Sequence, residues 1–218
     1  MWCIQEITPE YQRRMYDILD LYQEPYNPKR PVIGMDEKPK QIIDHSQQPI
    51  PMRPGKTEKY DYGYIRNGTA NIFMAVEPKH GKRNTQVTLR KTNIDFAQFM
   101  RDLVLFYPYA EKLRIILDNY STHTKKAFYD AFEQDEADKI LSKLEFHYTP
   151  KHASWLNVAE IEIGVMDHEC TDRRMKNASF LKNEVEAWTK RRNTERCTID
   201  WRFTRVDADK KLAKHYVT

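Results

Sequence analysis

Leu113-Arg114-Ile115-Ile116-Leu117-Asp118-Asn119-Tyr120-Ser121-Thr122-His123 is the stretch whose reading decides the fold. Leu113 to Leu117 is a short apolar run that reads as a buried strand, and Asp118-Asn119 ends it in turn-forming residues. Open α/β sheets bind their ligands beyond the carboxyl ends of such strands. An acid at that point is poorly explained by packing and well explained by chemistry.

Working outward, Lys125 to Leu144 predicts a helix, broken near Gln134, and Glu145 to Tyr148 a short strand. Upstream, Ile94, Ala97, Phe99, Met100, Leu103, Val104 and Phe106 give Asn93 to Phe106 a broad apolar helical face. Gln86 to Arg90 reads as a strand. Tyr62 to Ile65 and Thr69 to Val76 flank Asn67-Gly68, the pair that favours a tight hairpin. Residues 37 to 60, with Pro39, Pro49, Pro51 and Pro54, read as a long surface excursion. Pro31 to Asp36 reads as a second buried strand ending in acid. A helix begins at Thr8-Pro9-Glu10, where Thr8 can cap and Pro9 suits the first turn, and it runs to Tyr22. Downstream, helical patterns start at Ser154, Phe180 and Ala208. Hairpin strands followed by alternating helices and strands predict an α/β fold, a mixed sheet with helices on both faces. Residues 1–30 are expected to form a linker helix with a Pro-rich connector, and residues 31–218 the main domain.

The 218 residues suffice for one substantial core. Apolar runs of about five residues exclude a helical membrane span, which needs about 20. Met1 to Asp20 is charged and aromatic and does not read as a secretory signal. Cys3, Cys170 and Cys197 are scattered, which points to a reducing cytosol and away from a disulfide framework or zinc site. A net charge of +4 and a pI near 8.8 permit nucleic-acid binding without requiring it.

Three acids stand out. Asp36 and Asp118 close apolar strands, and Glu160 lies one turn into a helix among Val158, Ala159, Ile161 and Ile163. A glutamate so surrounded is expected to be partnered. Glu162 is nearby, but two residues along a helix turn it about 200° away. The plain alternatives are a solvent-facing acid at 36, a turn aspartate at 118 and a dipole-favoured first-turn glutamate at 160. Together the three offer hard oxygen donors on rigid elements, as Mg2+ requires. Two ions about 4 Å apart can serve an in-line phosphoryl displacement. Like charges at that distance repel by roughly 4 kcal/mol at an effective dielectric of 20, a reason to expect cations.

Met35-Asp36-Glu37, Leu117-Asp118-Asn119 with His123, and Tyr148-Thr149-Pro150-Lys151-His152 leading to Ser154-Trp155-Leu156-Asn157-Val158-Ala159-Glu160 closely resemble the bacterial insertion-sequence DDE transposases related to the mariner elements. The resemblance runs from about residue 2 to about residue 216. It implies a ribonuclease-H-like five-stranded core in which Asp36, Asp118 and Glu160 hold two Mg2+, Mn2+ substituting. It implies water attack at the element end, then attack of the freed 3′-hydroxyl on target DNA, typically at TA, by a homodimer in the bacterial cytoplasm. Glu37, Asn119, His123, His152 and Asn157 are implied as supporting or DNA-positioning residues. The N-terminal helix-turn-helix module usual in the family is expected to be missing. A remnant that binds DNA or full-length transposase without catalysis is the alternative.

Basic residues complete the reading. Lys82, Arg83, Lys125, Arg173 and Arg174 are candidate phosphate contacts, with ordinary solvated faces as the alternative. Such contacts would be salt-sensitive and indifferent to sequence.

Overall fold

The computed structural model describes residues 7–216; Cys3 lies outside them. One sheet contains β1 (Val32–His45), β2 (Tyr64–Glu77), β3 (Lys82–Thr88), β4 (Leu113–Leu117) and β5 (Leu144–Tyr148), in the order β3-β2-β1-β4-β5. β1 to β3 pair antiparallel, while β4 and β5 join β1 in parallel. The helices are α1 (Pro9–Gln23), α2 (Asn93–Phe106), α3 (Lys126–Ala131), α4 (Gln134–Ser142), α5 (Val158–Met166), α6 (Ala178–Glu195) and α7 (Arg205–Leu212). Among the described residues, no helix is long and apolar enough to cross a membrane.

The two-residue period of the strands sends side chains to two covered faces. Ile33, Met35, Phe73, Ala75, Ile115 and Leu117 pack under α2, α3 and α4. The opposite face is covered in two patches. Val76 and Ile116 meet α1, α7 and the start of α5, while Ile72 and Met74 meet α6 and the end of α5. β4 is buried at all five positions because it lies between β1 and β5 with helices on both sides.

Local sequence explains the helix starts. Thr8 Oγ1 accepts the Tyr11 N–H ahead of Pro9. Thr92 and Asp95 form a reciprocal capping box at α2, and Thr204 with Asp207 repeats it at α7. The predicted helix break near Gln134 is the gap between α3 and α4.

Four expectations are corrected. β1 does not end at Asp36; it runs on to His45 against β2. Its pairing with β4 stops at Gly34–Ile116, so beyond that point β1 has a free side. Pro39, lacking an N–H, is tolerated there because no ladder partner is lost. The surface excursion therefore shrinks to residues 46–63. Asn67-Gly68 is no hairpin turn but an irregularity inside β2. The register slips between Gln41–Thr69 and Ile43–Arg66, and Gly68 takes φ +98° to allow it. β3 starts earlier than predicted, at Lys82, because the turn before it closes at Gly81.

Candidate active site

Strand register sets the two aspartates level. Gly34 pairs with Ile116, and Asp36 and Asp118 each lie two residues beyond, where β1 and β4 part. Asp36 therefore shares a face with Gly34, the face that meets α5. A Cβ on Gly34 would stand 2.6 Å from Val158 Cγ2 and 2.9 Å from Asn157 Oδ1. Only glycine lets the start of α5 sit this close to the sheet. Asn157, fully buried, completes the junction. Its Oδ1 accepts the Ala159 N–H at 3.1 Å, and its Nδ2 donates to the Met35 carbonyl at 2.8 Å. Glu160, in the first turn of α5, is thereby held beside the residue that follows Met35.

The electrostatics bear the mark of this convergence. Burial lifts the Asp36 carboxyl to about 7 against the opposing Glu37 N–H bond, and the charges of Glu37, Asp118 and Glu160 push the same way. Two neighbouring lysines pair with other acids: Lys38 with Asp167 at 2.9 Å, and Lys91 with Glu37 at 3.7 Å. Asp118 differs. Burial, the largest single influence, would raise it, but the bond and charge of His123, the Tyr120 N–H and the charge of Lys91 together hold it below the usual carboxylate range.

His123 is the hub on the other side. Its Nε2 lies 2.6 Å from Glu37 Oε1 and its Nδ1 2.8 Å from Asp118 Oδ1, with both His123 and Glu37 side chains buried. Phe96 packs on the imidazole at 4.7 Å. Burial opposes its charge, yet the bonds to Asp118 and Glu37 prevail and raise it to about 9. The ring is then an imidazolium donating from both nitrogens. It ties the end of β4 to β1 one residue past Asp36. Asn119 braces the same turn, donating to the Thr149 carbonyl at 2.6 Å and accepting from Arg14 at 3.0 Å.

The expected partnering of Glu160 falls instead to Glu162. Glu160 is exposed, whereas Glu162 is buried against Arg83 (2.8 Å) and Arg192 (3.0 Å). The 200° separation holds: the two glutamates face opposite environments. Arg83 is consequently no phosphate contact. It is 1% exposed, and its guanidinium also donates to the Gly81 and Cys197 carbonyls.

Among the other basic candidates, Arg174 is engaged with the 46–63 excursion, donating to the Asp61 and Gly63 carbonyls. Arg173 pairs with Glu184 and donates to the Cys170 carbonyl. Lys82 lies over the Phe106 and Tyr107 rings, and Lys125 is exposed at the start of α3. His152 is exposed in the loop before α5 with φ +62°, a costly conformation away from glycine. Sequence reasoning missed Arg14 and Lys91, which are distant from Asp118 in sequence and reach its turn only in the fold, and gave no role to Tyr120, two residues past Asp118.

Residues 31–182 match the family profile described as DDE superfamily endonuclease, and all three acids lie within that span. The chain belongs to this family. No curated protein matched it in sequence. Among solved structures it is similar to a pre-cleavage Mos1 transpososome, at 12% identity and TM-score 0.61, covering 99% of this chain and 67% of that one. It is also similar to the Mos1 strand transfer complex, at 13% identity and TM-score 0.53, covering 87% and 57%. At such identities the likeness is one of fold, and the sheet of this DDE endonuclease is ribonuclease-H-like. The chain spans about two thirds of the first relative's length and less of the second's.

Proposed function

We propose that this DDE endonuclease is the catalytic core of a mariner-related bacterial insertion-sequence transposase that cleaves and joins DNA strands at element ends. The observation that supports this best is the meeting of Asp36, Asp118 and Glu160, from β1, β4 and α5, where two parallel strands part. Among the described residues no three acidic, histidine or cysteine side chains close in tightly enough to cage an ion. Mg2+ suits an open set of this kind, since it keeps several waters and takes few carboxylates. Asp36, Asp118 and Glu160 would hold two Mg2+, or Mn2+, which supply charge neutralisation at the attacking and leaving oxygens. His123 and Glu37 fix Asp118, while Asn157 fixes Glu160 relative to β1. The substrates are DNA ends and a TA-containing target, and the working form is a homodimer.

The test is a cleavage and joining assay on end oligonucleotides with Mg2+ or Mn2+, with and without an added end-recognition domain. Nicking or joining that disappears in Asp36→Ala, Asp118→Ala and Glu160→Ala is expected. Activity unchanged by Asp118→Ala would overturn the triad. DNA binding without any chemistry under all conditions would leave the non-catalytic remnant.

A further inference from the structure

Next to the carboxylates stands an aromatic side chain that belongs to none of the three apolar core clusters. Tyr120 is 43% exposed, two residues past Asp118. Its backbone N–H donates to Asp118 Oδ1 at 3.0 Å, and its carbonyl accepts the His123 N–H at 2.9 Å. The ring is held as well as the backbone. Lys91 Nζ stands 4.0 Å from its centroid, on one face, and the His123 ring meets it edge-on at 5.8 Å. Lys91 is itself placed by Glu37, 3.7 Å away. A large apolar surface is thus fixed in position relative to a catalytic carboxylate while part of it is left to solvent.

We infer that Tyr120 is a stacking platform for an unpaired nucleobase flanking the reacting phosphate, with Lys91 holding the ring from behind. The inference rests on the proposed action at DNA ends. Every base has a π-face, so such a contact gives affinity without reading sequence. A base inside a duplex is already stacked on its neighbours, so the platform serves a nucleotide that has left the helix at the cleavage point. The ammonium on the opposite face adds attraction for the adjacent phosphate and prevents the ring from folding away. Tyr120 is then a binding residue that touches substrate, and Lys91 a positioning residue that acts through it.

The test uses the 218-residue chain and end oligonucleotides carrying 2-aminopurine at single positions around the cleavage point. Quenching at one flanking position is expected in the wild type and in Tyr120→Phe, and its loss in Tyr120→Ala. A parallel set places an abasic site at that position. Removing the base should weaken wild-type binding about 5- to 100-fold and leave Tyr120→Ala nearly unaffected. Lys91→Met should show an intermediate loss of about 2- to 5-fold. A purely structural Tyr120 would lower binding of intact and abasic DNA alike, and that outcome overturns the inference. Binding with no Tyr120-dependent quenching sinks the stacking alone. A wild-type chain that binds no DNA end sinks the reading on which it rests as well.

Discussion

Asn157 joins α5 to the central sheet: one amide group caps the helix and also donates to the carbonyl of Met35, the residue before Asp36. Asn157→Ala should remove the cap and leave a buried carbonyl unpaired, destabilising the protein by about 2–4 kcal/mol. Asn157→Asp keeps the cap but cannot donate to Met35, so it should keep helix content and still lose activity. Circular dichroism melts beside cleavage rates distinguish the two; full activity in Asn157→Asp would show that the tie to Met35 is dispensable.

Gly34→Ala tests the same junction from the sheet side. Its Cβ would meet Val158 at 2.6 Å and the Ala159 backbone nitrogen at 3.1 Å. The backbone contact cannot swing away, so α5 must shift by tenths of an ångström. A loss of about 1–3 kcal/mol is expected, with a larger fall in cleavage rate than thermal melting alone explains. A variant with wild-type melting and wild-type cleavage would refute the close fit.

Glu162→Ala would strip the carboxylate from between Arg83 and Arg192 and leave buried charge uncompensated. The expected loss is about 3–5 kcal/mol, which lowers the melting temperature by about 10 °C for a domain of this size. Glu160→Ala, on the exposed face, should melt within a degree or two of wild type. Equal melting of the two variants would contradict the assignment.

His123→Gln removes the double donor between Glu37 and Asp118. Residues that orient ligands typically account for about 10- to 100-fold in metal affinity. The Mn2+ concentration for half-maximal cleavage should rise by that order while the maximal rate changes less. An unchanged metal requirement would remove His123 from its orienting role.

His147 links β5 to α1, lying 2.7 Å from Asp17 and 3.1 Å from Glu145. Burial opposes its charge, but the carboxylates prevail and its pKa lies above the ordinary 6.5. Asp17 is held below 3.8, chiefly by its bond to His147. The histidine's contribution is therefore complete below about pH 6.5 and fades as pH rises through the raised pKa. The aspartate's is complete above about pH 4 and fades on acidification. Asp17 is half exposed, so solvent screening limits the pair to about 0.5–1 kcal/mol. Melting of His147→Gln against wild type should differ most near pH 5–6, and the gap should shrink as pH rises beyond the ordinary 6.5. A gap that widened with rising pH would reverse the assignment.

The helices and β4 were legible in the sequence because caps and apolar spacing are local signals. α2 runs from Asn93 to Phe106, as its apolar face indicates. The length of β1 was not legible, since an antiparallel partner arriving from residues 64–77 carries it through a proline that local rules read as loop. Asn67-Gly68 misled for the same reason: a turn dipeptide was absorbed as a register slip. Asp36 and Asp118 stood out because the apolar strands they close are written beside them, whereas Asn157 entered only through the family resemblance. Glu160 and Glu162 were harder to sort, because which glutamate faces solvent depends on Arg83 from β3 and Arg192 from α6. The Lys91–Tyr120 pair had no sequence signal at all; a turn and a helix approach join residues with nothing in common in the chain.

α5 thus carries two glutamates two residues apart with unrelated duties. One faces the open end of the sheet, and the other is clasped by two arginines in the interior. Endurance and reactivity are therefore separable along a single turn of helix. Position 162 can be varied only at the scaffold's expense, whereas position 160 can be varied in an intact scaffold. On the proposed function, a well-folded but inactive endonuclease is one substitution away, and it lies at the exposed glutamate.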